Sequence, residues 1–411
     1  MAPPVNASGY RWTLVALLWV VALLNYLDRQ VIFAVFPLLE KDLHVSSLQL
    51  GLLGTAFLWI YGILSPLGGW LADRFGRRSI ILVSLAVWSA VTFLTGHARN
   101  YEQLLIARAL MGISEACYLP AALAMIADYH GETTRSRATG LHQSGLYVGI
   151  ALGGAGGGWM GEQYGWRLMF FVLGAAGIVY ACVLALTLKE SPSRRTSTST
   201  GLPFMDGLRQ LAAARPFWML TFANCLASVA YWCIYTWLAL FLFERFHVSL
   251  TNAGFSSTFY IQAASFVGIL AGGWVADQWS RSDARGRLWT QSIGLGVAAP
   301  FLFLVGTTAS WQVLLPGLIC FGLGRGFFDC NLMPVVCQIV PANLRATAYG
   351  VLNLTSCIAG GIMAAAGGAM KDRLGLGAAI QLSAAMLALG AVCLGTLRLT
   401  QPVAREVEAS R

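Results

Sequence analysis

Charge is scarce in this chain. Only 11% of its 411 residues are Asp, Glu, Lys or Arg, and 57% are hydrophobic. A soluble domain carries about 25% charged residues, so an ordinary soluble globule is excluded. Paired metal-ligating residues are also missing. The nine cysteines form no Cys-x-x-Cys or Cys/His pairing. Most, such as Cys182, Cys225 and Cys393, lie inside apolar runs as small packing residues. Neither a disulfide nor a metal is expected. No phosphate-cradling loop and no nucleotide motif occurs, so no cofactor and no ATP-driven step is expected, and the chain does not read as an enzyme. A cleavable leader is lacking too. Trp12 to Leu27 is apolar, Asp28 and Arg29 interrupt, and the apolar pattern resumes at Val31, which reads as a retained first span.

What the chain has is apolar runs of about 20 residues, the length a bilayer core requires. They recur along almost its whole length and predict an all-α membrane protein of about twelve helices. The expected spans are 12–39, 47–73, 79–97, 101–129, 136–162 and 166–188, then 217–245, 251–277, 288–308, 311–339, 344–370 and 376–398. Residues 1–188 form an N-terminal six-helix bundle and 217–411 a C-terminal one. Between them, 189–216 reads as a flexible cytoplasmic linker from the Ser/Thr/Arg composition of Lys189 to Thr200. The tail from Gln401 to Arg411 is polar and short.

The formal net charge of +9 raises the question of nucleic acid, and its distribution answers it. Of the 27 Lys and Arg residues, eighteen fall on one predicted side and six on the other. Arg29, Arg108 and Arg325 lie within spans. Such asymmetry is the positive-inside pattern, with both termini cytoplasmic. A multi-pass protein of a bacterial inner membrane is expected, partnered by the lipid bilayer and not by nucleic acid.

The two halves repeat each other. Gly69-Trp70-Leu71-Ala72-Asp73-Arg74-Phe75-Gly76-Arg77-Arg78 returns in part as Gly273-Trp274-Val275-Ala276-Asp277. Arg137-Ala138-Thr139 returns as Arg345-Ala346-Thr347. Gly112, Glu115 and Pro120 return as Gly326, Asp329 and Pro334. Parallel repeats of this kind relate the halves of transporters that bind substrate near the midplane. The 45 glycines, dense between Gly149 and Gly158, let helices approach closely.

The run Gly69 to Arg78 resembles the signature loop between the second and third helices of the major facilitator superfamily, and the resemblance covers essentially the whole chain. Asn25-Tyr26-Leu27-Asp28-Arg29, Arg108 to Ala116, Trp237-Leu238 and Ala253-Gly254 resemble its anion:cation symporters. That family includes bacterial sugar-acid symporters and animal sialic-acid and glutamate carriers. Spinster-type lipid carriers share the Asp of helix one and the Glu115-Ala116-x-Tyr118 pattern. Three positions depart from the symporters: Ala239 replaces a proline, His142 replaces an apolar residue, and the second loop copy ends Gln278-Trp279-Ser280-Arg281. Helix five lacks the Gly-Pro motif of drug antiporters, which argues for symport.

Ionisable groups within spans cost about 3 kcal/mol each on insertion scales and mark function by default. Arg108 and Glu115 lie two turns apart on one helix face, and adjacent Asp28 and Arg29 point about 100° apart. With His142 they form the candidate proton-coupling set: Asp28 and Glu115 as carriers, Arg108 as their partner, His142 as a relay or a polar liner. The resemblance implies Arg29 as the substrate anchor and Arg108 as the partner of the acids; the residues themselves allow the reverse. Tyr61, Gln143, Tyr231, Tyr235 and Asn353 are candidate ligand contacts, with interhelical hydrogen bonding as the bland alternative. Arg325 and Asp329 read as a structural ion pair. The resemblance implies that Gly69, Asp73, Arg74, Gly76 and Arg77 form a latch that stabilises the outward-open state. The expected function is proton-coupled symport of a small organic anion by a monomer. A Spinster-like carrier of lysophospholipid or a related amphiphile is the alternative.

Overall fold

In hydrocarbon every backbone polar group must find its partner within the segment, so apolar runs become helices. The computed structural model describes residues 7–130, 132–190, 204–341 and 344–397. Among these the chain forms fifteen helices and no strand. The first set is α1 (Ala7–Ala34), α2 (Phe36–Leu43), α3 (Ser47–Phe75), α4 (Arg77–Thr95), α5 (Tyr101–Glu115), α6 (Tyr118–Tyr129), α7 (Glu132–Tyr164) and α8 (Trp166–Thr187). The second is α9 (Phe204–Ala213), α10 (Arg215–Phe246), α11 (Leu250–Trp279), α12 (Gly286–Thr307), α13 (Trp311–Ile339), α14 (Arg345–Leu374) and α15 (Leu376–Thr396). Eleven stretches are long and apolar enough to cross a membrane. The 33-residue α7 is long enough but diluted by its glycines and polar start. With it, the tally reaches the twelve expected spans.

Two expected spans are broken. The first splits at Val35 (φ −106°, ψ 12°), with a proline in the first turn of α2, where its missing N–H costs nothing. The fourth splits between α5 and α6, because Pro120 has no N–H for the Ala116 carbonyl. The α9 helix falls within the stretch expected to be a flexible linker. Its Leu211 is buried, and the Leu211 carbonyl accepts the Trp218 indole N–H at 3.0 Å. Residues 191–203 and the tail 401–411 lie outside the described residues.

The repeat extends to details the motifs did not show. His44-Val45-Ser46 and His247-Val248-Ser249 both leave a helix through a left-handed histidine, φ 51° and 52°. In each, the serine Oγ accepts a backbone N–H three residues on, Gln49 at 3.3 Å and Asn252 at 3.2 Å. The arginine that satisfies helix-end carbonyls is Arg135 in one half, bonded to His130 and Ala127. It is Arg345 in the other, bonded to Val340 and Cys337. The structural counterpart of Arg345 is therefore Arg135, two residues before the Arg137 that sequence alignment of the halves selects.

The chain divides into two compact units. The first holds residues 1–198 with 235–259 of α10 and α11 and 364–369 of α14; the second holds the remainder. In the first, α1 lies along α7 on a stripe of glycines four apart. A Cβ at Gly145, Gly149 or Gly153 would stand 2.8, 2.4 or 2.8 Å from the carbonyl oxygens of Trp19, Leu23 and Leu27. Gly149→Leu is expected to force these helices apart and to abolish a monodisperse, thermally cooperative protein in detergent. Size-exclusion and thermal melting check it; wild-type behaviour would show that the contact is dispensable. In the second unit, α12 packs against α13 and α15.

Candidate functional site

Asp28 and Arg29 occupy adjacent positions on α1 and so face different neighbours. Arg29 turns to α3 and α5, and its Nε donates to Glu115 Oε2 at 2.5 Å. Both side chains are buried, Glu115 at 0% and Arg29 at 6% exposure. Three rings enclose the guanidinium, with Tyr61, Tyr26 and Phe57 centroids at 4.4, 4.7 and 4.9 Å. Desolvated cation–π contacts contribute about 2 kcal/mol each, an amount comparable with the cost of placing the charge in a span. Asp28 turns instead to α4, where its Oδ2 accepts the Thr92 hydroxyl at 3.3 Å. Its Oδ1 reaches no hydrogen-bond partner.

Arg108 is 2% exposed yet joins neither acid in an ion pair. It donates to the Leu53 carbonyl and to Met111 Sδ, both at 3.4 Å, and Nη2 is left without a partner. Its guanidinium lies 4.5 Å from the Phe57 centroid, so one ring borders both arginines. Of the two assignments the residues allowed, this structure holds Arg29 on Glu115 and leaves Arg108 without an acid.

His142 on α7 is fully buried. Its Nε2 lies 2.9 Å from Tyr118 Oη, and Tyr118 donates to the Leu18 carbonyl at 2.9 Å. A phenol has one proton to give. Both contacts are satisfied only when Nε2 carries the histidine hydrogen.

The remaining candidates divide. Tyr61 stands in the cluster, stacked on Phe57 at 5.8 Å. Gln143 is half-buried beside His142 on α7. Tyr235 belongs to the first unit, where its carbonyl accepts the Gln30 amide at 3.3 Å. Tyr231 and Asn353 belong to the second. Arg325 donates to Asp329 at 3.1 Å along one face of α13 and lies 5.0 Å from the Tyr231 centroid. Sequence reasoning missed Phe57, Trp88 and Thr92. Phe57 is one turn from Tyr61 on the same helix face, and Thr92 is a hydroxyl in an apolar helix. Those were the available signals.

Residues 18–365 match the model of the Major Facilitator Superfamily. The chain belongs to that superfamily. It is accordingly a multi-pass transporter and not an enzyme. It is 26% identical over 428 residues to the D-galactonate transporter of Escherichia coli O6:H1, covering 95% of this chain and 96% of the relative. It is also 26% identical over 404 residues to the hexuronate transporter of Bacillus subtilis (strain 168), covering 94% of each. Among solved structures, a bacterial homolog of the human lysosomal transporter Spinster, inward-facing and occupied, superposes with TM-score 0.80. It shares 24% identity and covers 94% of this chain and 96% of that one. At that identity the likeness is one of fold.

The superfamily's signature loop is built around Gly76, whose φ of 95° ends α3 and starts α4 in a conformation that favours glycine. Arg77 pairs with Asp128 of α6 and donates to the Ala124 carbonyl at 2.9 Å. Arg78 caps the end of α8 through the Leu188 and Ala185 carbonyls, each at 2.6 Å. Arg74 is exposed and lies over Trp70 at 5.3 Å. The surroundings of Gly69 and the Asp73 side chain lie outside the described residues. In the second copy Asp277 accepts from Arg287 at 2.9 Å. Arg77→Ala and Asp128→Ala are each expected to lower stability by about 1–3 kcal/mol, and the double variant by no more than either alone. Additive losses in a double-mutant cycle would show the two to be uncoupled.

Proposed function

We propose that this superfamily member is a proton-coupled symporter that carries a small organic anion inward by alternating access. The substrate class is a carboxylate of the sugar-acid type. The observation that carries the reading is the buried Arg29–Glu115 pair inside an aromatic cage. An arginine fork matches a carboxylate through two parallel hydrogen bonds; Glu115 takes only the Arg29 Nε, through Oε2, and its Oε1 has no hydrogen-bond partner. A proton taken by Glu115 releases Arg29 for the substrate, and Asp28, without a cation, is the second proton carrier. The proton offsets the anion's charge. Galactonate and hexuronate, named for the relatives, are both sugar acids. The charge asymmetry supports a bacterial inner membrane with both termini cytoplasmic, and a monomer suffices.

Reconstituted protein in liposomes tests this. Labelled D-galactonate, a hexuronate and a lysophospholipid are offered with and without an outside-acid gradient. Sugar-acid uptake that requires the gradient and collapses with a protonophore is expected. Gradient-independent uptake would remove the proton from the mechanism. Transport of the lysophospholipid alone would replace the anion with an amphiphile.

A further inference from the structure

A line of buried side chains runs from α7 to the Asp28 carboxylate. At one end His142 Nε2–H donates to Tyr118 Oη at 2.9 Å, and the phenol is fixed in turn by its own bond to the Leu18 carbonyl. The Tyr118 ring meets Trp88 edge-on, centroids 5.5 Å apart at 71°. Trp88 bears on the Asp28 carboxylate, although its indole N–H closes no hydrogen bond. One turn along α4, Thr92 donates to the same carboxylate. Exposures along the line are 0% for His142, 1% for Tyr118, 0% for Trp88, 1% for Thr92 and 2% for Asp28.

The geometry points to His142 as a positioning residue that sets the Asp28 site through Tyr118 and Trp88. This inference rests on the proton-symport reading above. The steps follow from packing and donor inventory. Tyr118 spends its proton on Leu18, so without the histidine donor its oxygen keeps only one tether. A freed phenol ring no longer fixes the indole edge. Thr92 donates to Asp28 and Trp88, one turn before it on α4, bears on the same carboxylate; dipoles on an ionised carboxylate favour that form.

A direct relay through the line is excluded by its chemistry. An indole N–H donates but does not accept, so Trp88 cannot pass a proton on. The other charged or titratable groups acting on this line are Arg108 and Glu115 of α5 at Asp28, and Tyr180 of α8 and Tyr26 of α1 at Tyr118. Gln143 is the polar neighbour of the histidine ring. Arg29 is adjacent to Asp28 but engaged with Glu115.

The experiment is the pH dependence of gradient-driven uptake for wild type, His142→Leu, His142→Gln and Tyr118→Phe. A glutamine amide can place a donor near the position of Nε2; leucine cannot. His142→Leu and Tyr118→Phe are expected to move the midpoint to alkaline pH by about half a unit or more. His142→Gln is expected to keep the wild-type midpoint. Loss of coupling in both histidine variants would make His142 a proton carrier itself and overturn the positioning role. Unmoved midpoints in a coupled wild type would overturn it as well, leaving symport intact. A wild type indifferent to the gradient would remove both the symport reading and this inference. Should His142→Leu not fold, Tyr118→Phe alone decides.

Discussion

Arg29→Ala is expected to reduce sugar-acid uptake by about 100-fold or more. Truncating one partner of a buried, hydrogen-bonded charge pair costs roughly 2–5 kcal/mol, and each 1.4 kcal/mol is about tenfold. Loss of a structural anchor could produce the same result, because the variant leaves Glu115 buried without its cation. Breaking such a pair destabilises by about 3–5 kcal/mol. A second variant separates the two effects. In Arg29→Ala with Glu115→Gln neither charge of the pair is left without the other, so thermal stability should recover toward wild type while uptake stays absent. Arg29→Lys should retain part of the binding, since an ammonium keeps the charge but not the planar fork. Substrate-induced thermal stabilisation reports binding without transport, as ligands of the folded state raise its melting temperature by mass action. Sugar-acid stabilisation surviving in Arg29→Ala would sink the anchor assignment and turn attention to Arg108, the buried arginine that holds no acid in this structure.

The helices are legible in the sequence because membrane insertion leaves the backbone little choice. Apolar length alone placed α3, α8 and α13 within a few residues of their observed ends. What hydropathy could not register were the breaks at Val35 and before Tyr118, where the run stays apolar and only backbone hydrogen bonding changes. The short α9 was hidden by the Ser/Thr-rich residues in front of it. At the candidate site, an ionisable group in a span was the signal that singled out Asp28, Arg29, Arg108, Glu115 and His142. Pairing was not legible, because a helical register fixes directions around one helix and says nothing of what a neighbour presents. Arg108 and Glu115 do share a face of α5, yet Glu115 is taken by Arg29 from α1. The aromatic members were harder still. Phe57 and Trp88 look like ordinary core residues until a guanidinium or a carboxylate is seen beside them.

Asp28→Asn is expected to abolish accumulation against a gradient while leaving exchange of substrate across the membrane largely intact. The amide is nearly isosteric with the acid. Among the described residues Asp28 accepts one hydrogen bond, from Thr92 at 3.3 Å, and forms no ion pair. Asparagine can keep that acceptor, so the fold should be disturbed by less than about 1 kcal/mol, the scale of a single neutral hydrogen bond. What it cannot do is ionise. If Asp28 loads and releases a proton in each cycle, the variant carries substrate without the driving ion, and the internal-to-external ratio settles at the passive value. Counterflow, in which labelled substrate enters against unlabelled substrate inside, needs the substrate site and the conformational change but no net proton movement. It should therefore persist. Glu115→Gln is expected to differ, because it also removes the group that competes for Arg29, so substrate affinity should rise as coupling fails. The two acids are thereby distinguished, one as a proton site apart from the arginine and one as its alternate partner. Wild-type accumulation in Asp28→Asn would take Asp28 out of the coupling mechanism, and loss of counterflow would show that the carboxylate is needed for the substrate step itself.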